Sequence, residues 1–490
     1  MSPRDLLQDP CWHADDLGKA LPDSPHAVSV ALPRWQDVVA YEEKDPACLK
    51  ALQAIYPRFG FHPLVAEIAQ KARKEHGCAD DGSAWPYPTA AAAERAKFHC
   101  QRSEPMAKTS IKTVVGLPCL LTDAKGCNAA KAFWQHSGLG ASSRQAASAL
   151  GQEPFPSLQA SAAAQRLLKQ RLAEIYGCDS ELVQLHPSGM AALTKALQAI
   201  TALRPGKPFL QLGFPYVDVL KLPEVVFEGC DLLLTTDLNR LALELDRRQP
   251  AAVIVELPSN PMLQCVDLPA VARLAKARGI PVIADDTIGS PLNLDALPHA
   301  DLVFSSLTKS FAGRGDILAG SLVVSPSSPW REELSREFST ALAPLGDADA
   351  IALEQASRDV AQRLPQLNNA CQRLADKLAC HPSIARVHHP GQCTNFQALM
   401  RPGAGHGCLL SFELLRGIEQ AKRVYDALQV CKGPSLGTSF TLVCPYVLLA
   451  HYNELSWAES CGVPSHLLRV SVGLEDPDNL WRRFEMALKA

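Results

Sequence analysis

From about residue 160 the chain alternates two hydrophobic periods. ASAAAQRLLKQRLAEIYG and SGMAALTKALQAITAL carry apolar residues at helical spacing, as do LNRLALELDRRQ and LPAVARLAKARG. Between them lie short apolar runs bounded by Gly, Pro and Asp: ELVQLHP, PFLQLGF, GCDLLLTTD, AAVIVEL, PVIADD, ADLVFSSL and GSLVVSP. Strands that are apolar throughout and alternate with helices predict a mostly parallel sheet buried on both faces, an open α/β layer architecture. In such sheets ligands sit beyond the carboxyl ends of the strands, so the strand tips are where chemistry is expected.

The flanks of this block read differently. The first 150 or so residues are rich in Pro, His and small residues, with helical pieces such as HPLVAEIAQKARKEHG, loops such as DDGSAWPYP, and no sustained period. After SPSSPW the pattern turns to long helices, including AIALEQASRDVAQRLPQLNNACQRLADKLA. A smaller α+β unit follows from about residue 380, with GCLLSFEL and LLRVSVGL as antiparallel strands. We read residues 1–150 as an N-terminal extension, 151–375 as a large domain and 376–490 as a small C-terminal domain.

Composition narrows the function class. With 490 residues, 47% of them hydrophobic, the chain can bury a large core, and length alone allows about two to four domains. The formal net charge is −3 with both signs mixed throughout, which argues against nucleic acid or an anionic membrane as partner. The 16 cysteines form no CxxC pair and no dense framework, the pattern of reduced thiols in a cytosolic protein with no structural metal. MSPRDLLQDPCWHADD is not a secretory signal, and no stretch approaches the ~20 apolar residues of a spanning helix, so a cytoplasmic location is expected.

The strand tips, in order, are HPSGM, GFPY, ELPSNP, ADDT and SSLTK. Each can take one part in holding a phosphorylated pyridine aldehyde. Ser188, Gly189 and Met190 fall where a strand passes into a helix, whose unpaired N–H groups and dipole favour a phosphate. Tyr216 offers a flat ring to cover a heterocycle. Asp285 can pair with a protonated ring nitrogen, with Asp286 beside it in a structural role. Asn260 can reach a ring oxygen, and Glu256 suits a buried orienting partner. Thr287 can pack below the ring, while Ser306 and Thr308 can complete the phosphate site. Lys309, between two apolar runs, would then end in an imine with the aldehyde instead of a bare buried charge. Each residue alone has a commoner explanation as a cap, packing group or surface lysine. Their joint occurrence at successive strand ends carries the reading.

With those residues in place, about residues 140 to 490 resemble the Cys/Met-metabolism family of pyridoxal-phosphate (PLP) enzymes. The resemblance rests on SSLTKSFAGRGDILAGSLVV, SGMAA, SNP, ADDT and LLRVSVGLED. The N-terminal third is similar to fungal-type cystathionine γ-synthases through DSPHAVSVALPRWQDVVAYEEKDP, YPRFGFHP and AFWQHSGLGASSR. The resemblance implies an aspartate-aminotransferase-like fold type I and a homodimer or homotetramer with shared active sites, residues 1–150 serving also as an inter-subunit segment. It implies Arg469 as clamp for a substrate α-carboxylate, with Ser435 beside it. Typical members also have a Tyr-x-Arg pair, given to the phosphate by the neighbouring subunit, shortly before the SGM segment. Here Tyr56-Pro57-Arg58 lies far upstream, whereas Arg144 stands nearer that spacing. Arg144 is the favoured phosphate ligand, and Tyr56 and Arg58 are further candidates.

The reaction implied is γ-replacement on an O-acylated homoserine, forming a C–S bond with cysteine or a C–C bond with a carbon nucleophile. Catalysis would rest on Lys309, Tyr216 and Asp285. The alternatives are a β- or γ-elimination in the same site, and a PLP-binding relative without turnover. Tyr446 and His451 stand near the expected pocket with no role readable from sequence.

Overall fold

The computed structural model describes residues 4–235, 237–338 and 342–490. The seven apolar runs form one sheet: β4 (Val183–His186), β5 (Phe209–Leu212), β6 (Cys230–Leu233), β7 (Val253–Glu256), β8 (Val282–Asp285), β9 (Leu302–Ser305) and β10 (Gly320–Val324), numbered after three N-terminal strands. Their order is β4-β10-β9-β8-β7-β5-β6, and only β10 runs antiparallel to its neighbours.

Alternation along the strands sets the two faces. Val253 and Val255, with Leu210, Leu212 and Val303, pack among Leu168 and Leu172 of the helix Leu158–Tyr176. Ile254, Phe209, Ile283 and Phe304 turn the other way, onto Ala192, Leu193 and Ala196 of the helix Gly189–Leu203. All these side chains are buried. Helices cover both sides, so the sheet offers ligands its carboxyl edge. This is the mostly parallel α/β arrangement of fold type I.

A second sheet, β11 (Ile384–His388), β12 (Leu409–Leu414), β13 (Cys431–Lys432), β14 (Leu442–Pro445) and β15 (Leu468–Ser471), runs in the order β11-β12-β15-β14-β13. The two strands expected there, β12 and β15, are antiparallel neighbours. The helical stretch before it is two helices, Asp347–Ala356 and Val360–Ala379, interrupted where the Ser357 hydroxyl donates back to the Leu353 carbonyl at 2.8 Å.

The aperiodic N-terminal third also holds a sheet: β1 (Ser83–Pro86), β2 (Thr109–Val114) and β3 (Leu117–Thr122), antiparallel in the order β1-β3-β2. Its hairpin turns through Val115 and Gly116, both at positive φ (45° and 86°). A β-branched residue is disfavoured there, which hides the turn from sequence rules. No helix among the described residues is long and apolar enough to cross a membrane.

Candidate active site

Because β10 runs backwards between β4 and β9, the carboxyl ends of β4 and β9 emerge at one edge, on either side of Gly320 and Ser321. The following residues therefore converge. Gly189 is packed so tightly on the β9 tip that a Cβ would stand 2.8 Å from the Cβ of Ser306. Only glycine lets the helix begin there. Ser188 caps that helix, accepting from the Ala191 N–H and donating to the Gly138 carbonyl, both at 3.0 Å. The remaining N–H groups of the first turn have no partner within the helix and concentrate its positive end. Thr287 Oγ1 accepts from the Ser306 N–H at 2.8 Å, and the Thr308 hydroxyl accepts from the Ala319 N–H at 3.0 Å. These hydroxyls fix the loop that carries Lys309.

Lys309 is 8% exposed, and its Nζ donates to Tyr56 Oη at 3.0 Å. Gly437, at φ 75°, lies directly on the lysine backbone: a Cβ there would come within 2.9 Å of the Lys309 Cα. Burial pushes the Tyr56 phenol up, but the adjoining Lys309 outweighs it and leaves the phenol below its ordinary range.

Two residues on, Arg58 Nε donates to Asp218 Oδ1 at 3.1 Å. Asp218 also accepts from the Tyr216 hydroxyl at 2.8 Å and pairs with His136 Nδ1 at 2.9 Å. Burial alone would raise this carboxyl, but Arg58 and His136 hold it below the usual carboxylate range. It is therefore an ionised anchor that fixes a tyrosine from the β5 tip and an arginine from the N-terminal segment.

The remaining acids of the site make no ion pair among the described residues. Asp285, 5% exposed, accepts from the Thr287 N–H at 2.9 Å and has no ion-pair partner among the described residues. Burial pushes its carboxyl up to about 6, against the Thr287 hydrogen bonds. Glu256 Oε2 accepts from the N–H groups of Tyr216 (3.0 Å) and Asn260 (2.9 Å), tying the β5 and β7 tips together. Asp286 is turned into the core, accepting from the Tyr176 hydroxyl at 2.8 Å.

Arg469, 4% exposed on β15, donates to the carbonyls of Pro434 (3.1 Å) and Ser435 (3.0 Å) and to Asn260 Oδ1 (3.4 Å). Its guanidinium carbon lies 4.9 Å from the Tyr446 ring centre, and it makes no ion pair with a carboxylate among the described residues.

Every site residue named from the sequence lines this one pocket except Arg144 and Ser435. Arg144 differs from expectation for a clear reason: its guanidinium donates to the Asp316 carbonyl at 2.6 Å and lies 3.5 Å from Asp349 and 3.7 Å from the Asp316 carboxylate. It ties the loop after Lys309 to a neighbouring helix, and its charge is already balanced. Tyr56 and Arg58 instead reach the pocket, within a single chain. Ser435 contributes its carbonyl, and its hydroxyl is buried without a partner among the described residues. Tyr446 lines the pocket, whereas His451 lies in an adjoining cavity. Sequence reasoning missed Asp218, because an acid in the first turn of a helix is explained by the helix dipole alone. No cluster of metal-ligating side chains occurs among the described residues.

Residues 132–489 match the family described as Cys/Met metabolism PLP-dependent enzyme. The chain is 30% identical to a cystathionine gamma-synthase of Neurospora crassa, over 97% of this chain and 98% of that protein. It is 33% identical to an L-2-amino-4-chloropent-4-enoate dechlorinase/desaturase of Streptantibioticus cattleyicolor, over 94% and 95% respectively. The crystal structure of cystathionine gamma synthase from Xanthomonas oryzae pv. oryzae in complex with cystathionine superposes with a TM-score of 0.60 at 25% identity, covering 69% of this chain and 89% of that one. The chain therefore belongs to the Cys/Met metabolism PLP-dependent enzymes, in their cystathionine γ-synthase-like group.

Proposed function

We propose that the enzyme catalyses γ-replacement on an O-acylated homoserine, joining the γ-carbon to the sulfur of cysteine or to a carbon nucleophile. The observation that carries the reading is the set of unbalanced charges around one pocket. A buried lysine met only by a phenol, and a buried carboxyl and a buried guanidinium that make no ion pair among the described residues, meet beside a helix N-terminus.

These residues fit PLP. Buried charges without partners are costly, so each implies a group that balances it. The start of the helix Gly189–Leu203, with Ser306, Thr308, Tyr56 and Arg58, would hold the phosphate. Asp285 would pair with the ring nitrogen, Asn260 would meet the ring oxygen, Tyr216 would cover one ring face and Thr287 the other. When bound, the cofactor supplies an electrophilic carbon for an amine and a ring that accepts the electrons released when a neighbouring C–H bond breaks.

Arg469 binds the substrate α-carboxylate, pre-set by two carbonyls, Asn260 and the Tyr446 ring. Lys309 Nζ takes the proton from the substrate Cα and moves a second one at Cβ, as general base and acid. Tyr56 Oη accepts a hydrogen bond from that nitrogen at 3.0 Å and holds the amine in position. The acyloxy group leaves from Cγ and the nucleophile adds there. Ile288, Leu436 and Leu449 line the wall and limit water.

Elimination without a second substrate is the rival reading, favoured by the likeness to a dechlorinase/desaturase. Mass spectrometry of products from O-acetyl-, O-succinyl- and O-phosphohomoserine, with and without thiol and carbon nucleophiles, separates the two. Replacement yields cystathionine or a C–C adduct; 2-oxobutanoate and ammonia under every condition would establish elimination. No product from any donor would leave a PLP-binding relative without turnover. In this reading the enzyme is cytoplasmic and works as a homodimer or homotetramer.

A further inference from the structure

Beside the pocket lies a second cavity of about 320 Å³, which shares Arg58, Phe59, Gln135 and Ala450 with it. The shared arginine donates to the carbonyls of Leu449 (3.4 Å) and Ala450 (3.3 Å) and so forms part of the wall between the two spaces. Its other lining is of opposite character to the apolar pocket wall: Glu42, Lys44, Lys131, His451, Tyr452, Asn453 and Glu454.

Several of these groups are held in place at some expense. Lys44 adopts φ 61°, a left-handed conformation that a lysine rarely takes, and its Nζ is folded back to within 5.3 Å of the Tyr41 ring centre and 5.4 Å of that of Phe59. Glu42 Oε1 is buried and has no hydrogen-bond partner among the described residues. Burial pushes this carboxyl up to about 7, although Lys44 and Arg58 oppose the shift. His451, 2% exposed, pairs with Glu454 through Nδ1 at 2.9 Å, while its Nε2 is buried and unpartnered among the described residues. The Tyr452 hydroxyl donates to Glu43 at 2.5 Å and fixes the rim.

A buried carboxyl oxygen without a hydrogen-bond partner among the described residues, in a cavity that Lys44 and Lys131 also line and beside a pocket that handles an amino acid, is a complementary set for a second zwitterion. We propose that this vestibule binds the nucleophile as an amino acid, its ammonium on Glu42 and its carboxylate on Lys44 and Lys131, before its side chain crosses past Arg58 to the reacting carbon. The proposal rests on the replacement reading and narrows its second substrate to a compound with both an α-amino and an α-carboxylate group.

Three thiols test it: L-cysteine, cysteamine (no carboxylate) and 3-mercaptopropionate (no ammonium), each with a saturating acylhomoserine. The wild type should use L-cysteine with a KM up to about fivefold below either analogue, the effect of one ion pair near a surface. Glu42→Gln should raise KM for L-cysteine and cysteamine and leave 3-mercaptopropionate unchanged. Lys44→Met with Lys131→Met should do the converse. Both variants should keep the donor KM and the melting temperature of the wild type. Equal KM values for the three thiols, or the same change for all three in either variant, would overturn the proposal. Failure of the replacement reading looks different, because no thiol is incorporated at all. Equilibrium dialysis of radiolabelled L-serine then decides: two equivalents per chain in the wild type and one in the variants support the site, and equal binding overturns it.

Discussion

The carboxyl edge of the large sheet and the N-terminal segment that closes it solve the same problem in opposite ways. At the edge, Ser188, Tyr216, Asn260, Asp285, Ser306 and Lys309 project from the ends of short buried strands, and their positions follow from strand register. Tyr56 and Arg58 come from a stretch outside regular secondary structure and are held by side chains: Tyr56 by Lys309, Arg58 by Asp218 and two carbonyls. Backbone register gives precision without added partners, whereas a loop needs an ionised anchor. Asp218, gathering Arg58, Tyr216 and His136, is that anchor.

The comparison can be broken from either side. The largest loss of activity should follow Arg469→Leu, which leaves a substrate carboxylate in a buried site without its cation. Removing one partner of such a pair costs about 2–5 kcal/mol, so kcat/KM should fall roughly 30-fold to several thousand-fold, with the cofactor's visible absorbance retained. Normal kcat/KM would place the carboxylate elsewhere. Asp218→Asn comes next. Hydrogen bonds to charged groups are worth about 1.5–3 kcal/mol, so cofactor affinity should fall about ten- to a hundredfold while the far-ultraviolet spectrum is unchanged. Unaltered affinity would show that the N-terminal segment needs no anchor.

Asp285 allows a test on protein freed of cofactor. Its folded carboxyl is raised from 3.8 to about 6, so its contribution to stability is present below pH 4 and is lost as pH rises toward 6. Several buried histidines are shifted downward and act in the opposite sense, so the difference from Asp285→Asn is the quantity to measure. The variant should gain on the wild type by on the order of 3 kcal/mol between pH 4 and pH 7 in denaturant unfolding. A pH-independent difference would contradict an uncompensated acid at that position. The smallest effect on function belongs to Arg144→Met. Removing the guanidinium from the buried Asp349 and Asp316 should cost about 3 kcal/mol of stability, yet cofactor affinity should stay within twofold. A large loss of affinity would restore Arg144 to the phosphate site.

The same contrast explains what the sequence made legible. All seven strands of the large sheet are short apolar runs whose bounding residues mark their ends, and the chemical side chains follow at fixed offsets from those ends. Nothing comparable marks the N-terminal third. β2 places intermediate and exposed residues in succession, and its turn depends on Val115 in a conformation that valine seldom adopts. Three-dimensional proximity also decided between Arg144 and Arg58. Spacing to the SGM segment favoured the first, but linear distance carries no information about a residue brought in across about 130 positions of chain. Asp218 was invisible for a third reason: its partners come from three separate segments, and only their meeting gives the acid a role.

The most direct measurement is borohydride reduction of the enzyme prepared with excess PLP, followed by peptide mapping in a mass spectrometer. The peptide containing Lys309 should carry one reduced pyridoxyl phosphate, and no other lysine should carry a stoichiometric amount. An unmodified Lys309, or full labelling at another lysine, would remove the chemical reason for a buried amine at the end of β9.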